Sequence, residues 1–233
     1  MMKLILKRTS SLLLFLLLVG CGGRQDMEIN KTVFDKPSSI VIVQVDGLEN
    51  PGFYKEGQQG VVDFLISNAV AGEVIEKIRT INVEEIVDQH YFKPFESAFL
   101  AKSFKVVKDS EKLKKSSLVK HEGDQDKCAD FNFKNLKTSY NTDYALVLEP
   151  KLFGTIRKYY GFIPLGSPKG YTEVKVYLVR LEDNAVLGHY NADAKIGVKG
   201  DWDAPPDYAE LVKATKTALA TALNNAYLHF FVK

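Results

Sequence analysis

The chain has 233 residues, 45% of them hydrophobic and 26% charged. That is a globular composition: it excludes an intrinsically disordered chain and leaves room for one domain of ordinary size or a tight pair. The formal net charge is only +2, which gives no electrostatic case for nucleic acid as a partner.

Residues 1–20 read as a secretory signal peptide. Lys3, Lys7 and Arg8 form a basic start, Leu12 to Val19 is an apolar run, and a small residue, Gly20, precedes Cys21. Eight apolar residues are too few for a bilayer crossing, which takes about 20. Leu18-Val19-Gly20-Cys21 also resembles the lipobox of bacterial lipoproteins. The resemblance implies cleavage before Cys21 and lipidation of Cys21 through a diacylglyceryl thioether, often with a third acyl chain such as palmitate. One acyl chain alone gives only marginal membrane binding, so this pattern implies permanent attachment. Gly22 stands where many lipoproteins retained at the inner membrane carry Asp, so the expected location is the outer membrane, facing the periplasm. Residues 1–20 hold three cations and no acid, so the remaining chain carries a formal charge of −1. Cys128 then has no cysteine partner within the chain, which excludes an internal structural disulfide despite the oxidising compartment.

Residues 21–38 read as a flexible tether, ending in the breaker Lys36-Pro37-Ser38-Ser39. Ile40 to Asp46 is a β-branched run of strand length, expected to be a central strand buried on both faces. Gly47 to Gly60 reads as a loop, with Asn50-Pro51-Gly52 as its turn signal. Apolar residues at 61, 62, 65, 69, 70, 74, 78 and 81 predict a helix over 61–81. Asn82 with Glu85 predicts the N-cap of a second helix running to about Leu100, kinked or restarted at Pro94. Phe104 to Val107 reads as a short strand. Ser110 to Asn141 is polar, with a short helix over about 131–139. Asp143 to Glu149 reads as a strand that extends past Pro150 to Ile156. Two prolines and three glycines predict a loop over 161–170. Tyr171 to Leu181 and Ala185 to Val198 alternate with period two, which predicts a hairpin with one wet side carrying Glu173, Lys175, Tyr177 and Asn191. Pro205-Pro206-Asp207 opens a final helix with Tyr208, Leu211, Val212, Thr215, Leu219, Ala222, Leu223, Ala226 and Tyr227 in its buried stripe.

These elements predict an α/β (α+β) fold with a single globular domain over 39–233. One mixed, twisted sheet of about five strands carries helices packed on it, and a closing hairpin leads into the C-terminal helix. Ala98-Phe99-Leu100-Ala101-Lys102-Ser103-Phe104-Lys105-Val106-Val107 resembles the helix-then-strand step of a bacterial envelope superfamily. That group contains curli-secretion lipoproteins, lipoprotein activators of penicillin-binding proteins and the N-terminal domain of the Tol–Pal propeller protein. Thr142 to Leu148, with its Asp143-Tyr144 pair, resembles their next strand, and Tyr171 to Val179 with Ala185 to Leu187 resembles their closing hairpin. Asn141-Thr142 stands where the family usually has Gly. The resemblance implies the fold over 98–198; it says little of function, because one fold hosts many roles.

No residue set reaches the specificity of a catalytic motif. There is no Gly-x-Ser-x-Gly, no His-Glu-x-x-His and no phosphate loop. His90, His121, His189 and His229 stand alone in sequence, and His90, on a helix stripe beside Tyr91, reads as a core or boundary residue. Glu122, Asp124, Asp126 and Asp130, with His121 and Cys128, place carboxylates at alternating positions. However, the calcium-loop glycine and distal Glu are missing, and so is a second Cys or His at zinc spacing; a solvated acidic loop is the expected reading. No metal and no cofactor beyond the lipid on Cys21 is expected.

Phe153 to Tyr171 is more suggestive. Tyr159, Tyr160, Phe162, Ile163 and Leu165 are edged by Arg157, Lys158 and Lys169, the residue types enriched at contact hot spots. Two readings stay open: a hydrophobic loop folded onto its own sheet, or a partner-binding surface carried by Tyr159, Tyr160, Phe162 and Leu165. The expected function is a non-enzymatic, lipid-anchored envelope module that binds another periplasmic or outer-membrane protein, or that self-assembles. The alternatives are a subunit of an oligomeric secretion pore and a periplasmic hydrolase.

Overall fold

The computed structural model describes residues 26–36, 38–56, 72–122, 127–204 and 207–232. Six strands form one mixed sheet: β1 (Ser39–Val45), β2 (Gly52–Glu56), β3 (Lys105–Leu113), β4 (Tyr144–Tyr160), β5 (Ile163–Arg180) and β6 (Ala185–Gly197). The order is β3-β1-β4-β5-β6. β1 is parallel to β3 and β4, while β4, β5 and β6 run antiparallel in turn. β2 is a strand inside the expected loop, and it lies parallel to the far half of β4, with Gly52 opposite Gly154 and Glu56 opposite Lys158. Thus β1 and β2 follow one another along a single edge of β4.

β1 is the buried centre that its sequence predicts, and its two faces feed two cores. Ile40 and Ile42 join Leu146, Leu148, Val174, Val176 and Leu178 beneath the helices. Val41, Val43 and Val45 join Val147, Tyr177 and Val179 on the other face, under Ala129, Phe131, Phe133 and Leu136. The side expected to be wet is therefore covered by the stretch before β4, including the short helix α4 (Asn135–Tyr140). Tyr177 is 1% exposed, and Lys175 is buried against Asp130, its Nζ 2.6 Å from Oδ2. An ion pair lets a lysine sit under a covering layer, so charge alternation along β5 does not report solvent. Asn191, on β6, does remain exposed.

On the helical side, residues 72–79 form α1; positions 61–71 of the expected helix lie outside the described residues. α2 (Val83–Val87) is capped by Asn82, whose side chain accepts from the Glu85 amide at 3.2 Å. A π turn (Asp88–Phe92) joins it to α3 (Lys93–Ala101). Pro94 has no N–H to give the carbonyl four residues back, and its ring crowds that carbonyl; the wider turn relieves both without ending the helix. Tyr91, fully buried in this turn, places its hydroxyl 3.2 Å from the Val43 carbonyl and 3.1 Å from that of Leu146. α5 (Ala209–Phe231) lies on β5 and β6 with Leu211, Thr215, Leu219, Ala222, Leu223 and Ala226 of the expected stripe buried; Val212 and Tyr227, at its margins, and Tyr208, just before the helix, are only half-buried.

Two further boundaries move. β3 runs to Leu113, because edge residues such as Lys108 and Lys112 pair with Asp88 and Glu84 and need no burial. The expected tether is packed from Met27 onward. Met27 bridges His189, and Ile29 and Val33 are buried. No helix among the described residues is long and apolar enough to cross a membrane.

Candidate functional site: an apolar hairpin tip

β4 has 17 residues and β5 has 18, so the β4–β5 ribbon outgrows its neighbours. Among the described residues, the last rung of β5 with β6 is Lys169 opposite Gly197, and that of β2 with β4 is Glu56 opposite Lys158. Beyond these rungs the ribbon continues with Lys158 opposite Leu165, Tyr159 opposite Pro164 and Tyr160 opposite Ile163. The predicted loop over 161–170 is thus strand, with a two-residue turn at Gly161-Phe162. Gly161 has φ +58°, which glycine takes without strain at the first position of a tight hairpin turn. Pro164 and Pro168 are tolerated because, among the described residues, this part of β5 has no strand on its outer side.

Pairing places Lys158, Tyr160, Ile163 and Leu165 on one face of the ribbon. Tyr160 is 77% exposed, Phe162 72%, Ile163 50% and Leu165 45%. Of the two readings of this segment, the one that folds it onto its own sheet is excluded for these four side chains. Tyr159, on the opposite face, is half-buried, with the Lys55 ammonium 4.9 Å from its ring centroid.

The base of the tip is held on several sides. Arg157 stands alone at a register shift where β5 bulges by residues 166–168; its Nε donates to the Gly166 carbonyl at 2.8 Å and its guanidinium lies 4.9 Å from the Trp202 ring centroid. Tyr54 of β2 meets Tyr171 of β5 edge to face at 6.0 Å. Burial, then the neighbouring Glu173 carboxylate, pushes the Tyr171 hydroxyl well above its ordinary range, so it stays a neutral donor to Glu173 at 3.0 Å. Lys195 of β6 pairs with Glu56 of β2 at 3.1 Å across this base.

The other candidates disperse. Asp124 and Asp126 lie outside the described residues, and no group of three metal-ligating side chains forms among the described ones. His121, Glu122 and Asp130 line an open cleft of about 640 Å³ with Lys115, Lys120, Glu149 and Lys151. Glu149, buried at its floor, accepts from Lys151 at 2.7 Å, Lys115 at 3.1 Å and the Tyr177 hydroxyl at 3.1 Å. Burial alone raises its pKa, but the two ammonium groups outweigh that and hold it below the ordinary value. No single-residue signal distinguished Glu149 from an ordinary exposed strand-end acid. His90 sits in the π turn 3.1 Å from Asn224, His189 is buried in β6, and His229 stacks on Tyr190 at 4.3 Å. Cys128 is half-buried beside Ala185, and Cys21 lies outside the described residues.

No protein-family model and no curated protein matches the chain. Solved structures similar to it include protein XCC0632 of Xanthomonas campestris, at 10% identity and TM-score 0.36, covering 82% of each chain. The PelC dodecamer of Paraburkholderia phytofirmans is similar at 10% identity and TM-score 0.31, over 80% of this chain and 87% of that one. Lipoprotein GNA1162 of Neisseria meningitidis is similar at 14% identity and TM-score 0.30, over 68% and 84%. At such TM-scores these likenesses carry no argument about function.

Proposed function

We propose that this chain is a lipid-anchored cell-envelope protein, held through Cys21 at the periplasmic face of the outer membrane, which works as a binding and assembly module. The supporting observation is the hairpin tip. Among the described residues nine large apolar side chains are exposed, and four of them fall between Tyr160 and Leu165. Scattered apolar side chains are ordinary on a protein surface, whereas a contiguous set usually marks a contact. The leader and its cysteine supply the anchor; the ribbon supplies a stiff arm that carries the contact away from the sheet. The secretion-pore alternative draws on strands longer than the 9–11 residues a membrane strand needs. Yet β4 and β5 are covered on both faces over most of that length, which leaves only the tip uncovered.

The test is the Tyr160→Ala, Phe162→Ala double variant in the anchored protein. It should keep its melting temperature and lose the in-cell contacts made by a photo-crosslinker placed at Ile163. Unchanged crosslinks would remove the tip from the function, and an unfolded variant would return it to the core.

A further inference from the structure

The proposed module says that the tip docks; its chemistry says on what. Deepening that reading, we infer that the β4–β5 tip docks on the lipid bilayer that holds the anchor, inserting into its anionic interface as a second point of attachment.

Three observations converge on this. First, the tip has the side-chain order of a membrane interface: Phe162, Ile163 and Leu165 are apolar, Tyr159 and Tyr160 are amphipathic, and cations stand behind them. Second, from Arg157 to Lys169 there are three cations and no acid, and Lys55 lies beside them opposite Arg157. Glu56, the nearest acid in register, is held by Lys195. A cationic collar behind an apolar end complements anionic headgroups. Third, the size fits. From the Lys158–Leu165 rung to the turn is about 10 Å at roughly 3.3 Å per residue, close to the 5–10 Å depth of interfacial insertion and far short of the ~30 Å core. Deeper entry is disfavoured, because no strand among the described residues pairs with the outer edge of 163–168, where backbone groups are served by water rather than by a ladder.

The anchor makes the same bilayer the natural site. Asp26 reaches Asn191 on β6, its Oδ1 accepting from the Asn191 amide at 3.0 Å, and Asn191 pairs with Lys175. Five residue steps link Cys21 to Asp26, at most about 18 Å, so the domain is kept close to the surface. The tip lies twelve residues along β5 from Lys175, about 40 Å away. Both points reach one bilayer when the ribbon is tilted toward it, tip lowest. A tethered tip meets that surface at high effective concentration, so modest intrinsic affinity suffices.

The test uses the full-length, processed protein purified with its lipid and reconstituted alone in vesicles, with phosphatidylcholine or 3:1 phosphatidylcholine–phosphatidylglycerol and brominated acyl chains. Phe162→Trp, in a Trp202→Phe background, reports the tip, and Val119→Trp, at another exposed apolar position, serves as control. The Phe162→Trp emission should be quenched at least twofold in the anionic vesicles and the Val119→Trp emission hardly at all. Lys158→Glu with Lys169→Glu should weaken the tip's partition by about fivefold or more per charge removed from the surface, and so should high salt. An unquenched Phe162→Trp signal equal to that of Val119→Trp, in protein whose N-terminal peptide carries lipid, overturns the inference and leaves a protein as the tip's occupant; the module reading then stands on the crosslinks. Quenching in protein that carries no lipid supports the tip and overturns the anchor.

Discussion

Replacing Gly170 by alanine tests whether α5 clamps the root of the arm. A Cβ built at Gly170 would lie 2.3 Å from the backbone carbon and oxygen of Ala214 and 2.5 Å from the Thr215 nitrogen. Ordinary contact begins near 3.4 Å, so helix and strand must part by about 1.1 Å. The obstacle is helix backbone, so no side-chain rotation relieves it. Leu211, Ala218 and Leu219, buried on the same helix, move with it. Overpacking of this kind costs about 1–3 kcal/mol. For a domain of this size each kcal/mol lowers the melting temperature by about 2–4 °C, so Gly170→Ala should lose about 2–12 °C. Gly197, at the rung beside it, has nothing within 4 Å of its own added Cβ and serves as control. Gly197→Ala should shift the transition by less than about 2 °C, as surface changes do. Thermal denaturation followed by circular dichroism reads both. Equal shifts, or a neutral Gly170→Ala, would show that α5 does not press on β5 there.

Leu219→Ala, at a fully buried helix position, should cost about 2–5 kcal/mol in denaturant unfolding, while Lys216→Ala on the exposed face should cost almost nothing. Glu149→Gln should flatten the acid limb of stability. Its folded pKa lies below the ordinary 4.5, so its contribution is present above the unfolded value and fades as pH falls through the folded one. The variant should lose about 1–3 kcal/mol at pH 7 and approach the parent below about pH 4; parallel pH curves would show that the Lys115 and Lys151 contacts contribute nothing. Cys21→Ser should abolish incorporation of labelled fatty acid, and the parent should band with the outer membrane in a density gradient. Labelling of the variant, or an inner-membrane band, would refute the lipobox reading or its sorting.

The sequence is legible where burial coincides with a local period. β1 and the centre of the α5 stripe are read correctly because most positions that pack are apolar, Gln44 in β1 and Thr215 and His229 in α5 being the buried polar exceptions. The Asn82–Glu85 cap is read because capping is local chemistry. β2 is invisible for the opposite reason: Gly52-Phe53-Tyr54-Lys55-Glu56 has no strand pattern and becomes a strand only because the edge of β4 is vacant beyond β1. The covered side of β5 misleads because Lys175 is neutralised by Asp130, 45 residues away in sequence. Residues 163–170 read as a loop because their prolines and glycines break ladders; on a ribbon end with one vacant edge, half the ladder is not required. The composition of the hairpin tip was legible, but its exposure was not, since it depends on which rungs β2 and β6 make with the ribbon.

That dependence separates two zones that substitutions should resolve. Up to Gly170 the ribbon is covered by α5, so changes there act on stability. From Tyr160 through Leu165 no strand among the described residues flanks the ribbon, and Tyr160, Phe162, Ile163 and Leu165 are exposed. Truncating Tyr160 or Phe162 therefore removes almost no buried area, and stability should hold within about 0.5 kcal/mol. The same truncations remove most of the apolar surface the tip offers to a docking partner, so binding should fall by tenfold or more, by roughly 0.8 kcal/mol per buried methylene-sized group. The proposed function thus assigns stability and contact to adjacent parts of one hairpin. The boundary between them is set by the last rungs that β2 and β6 make, Glu56 with Lys158 and Gly197 with Lys169.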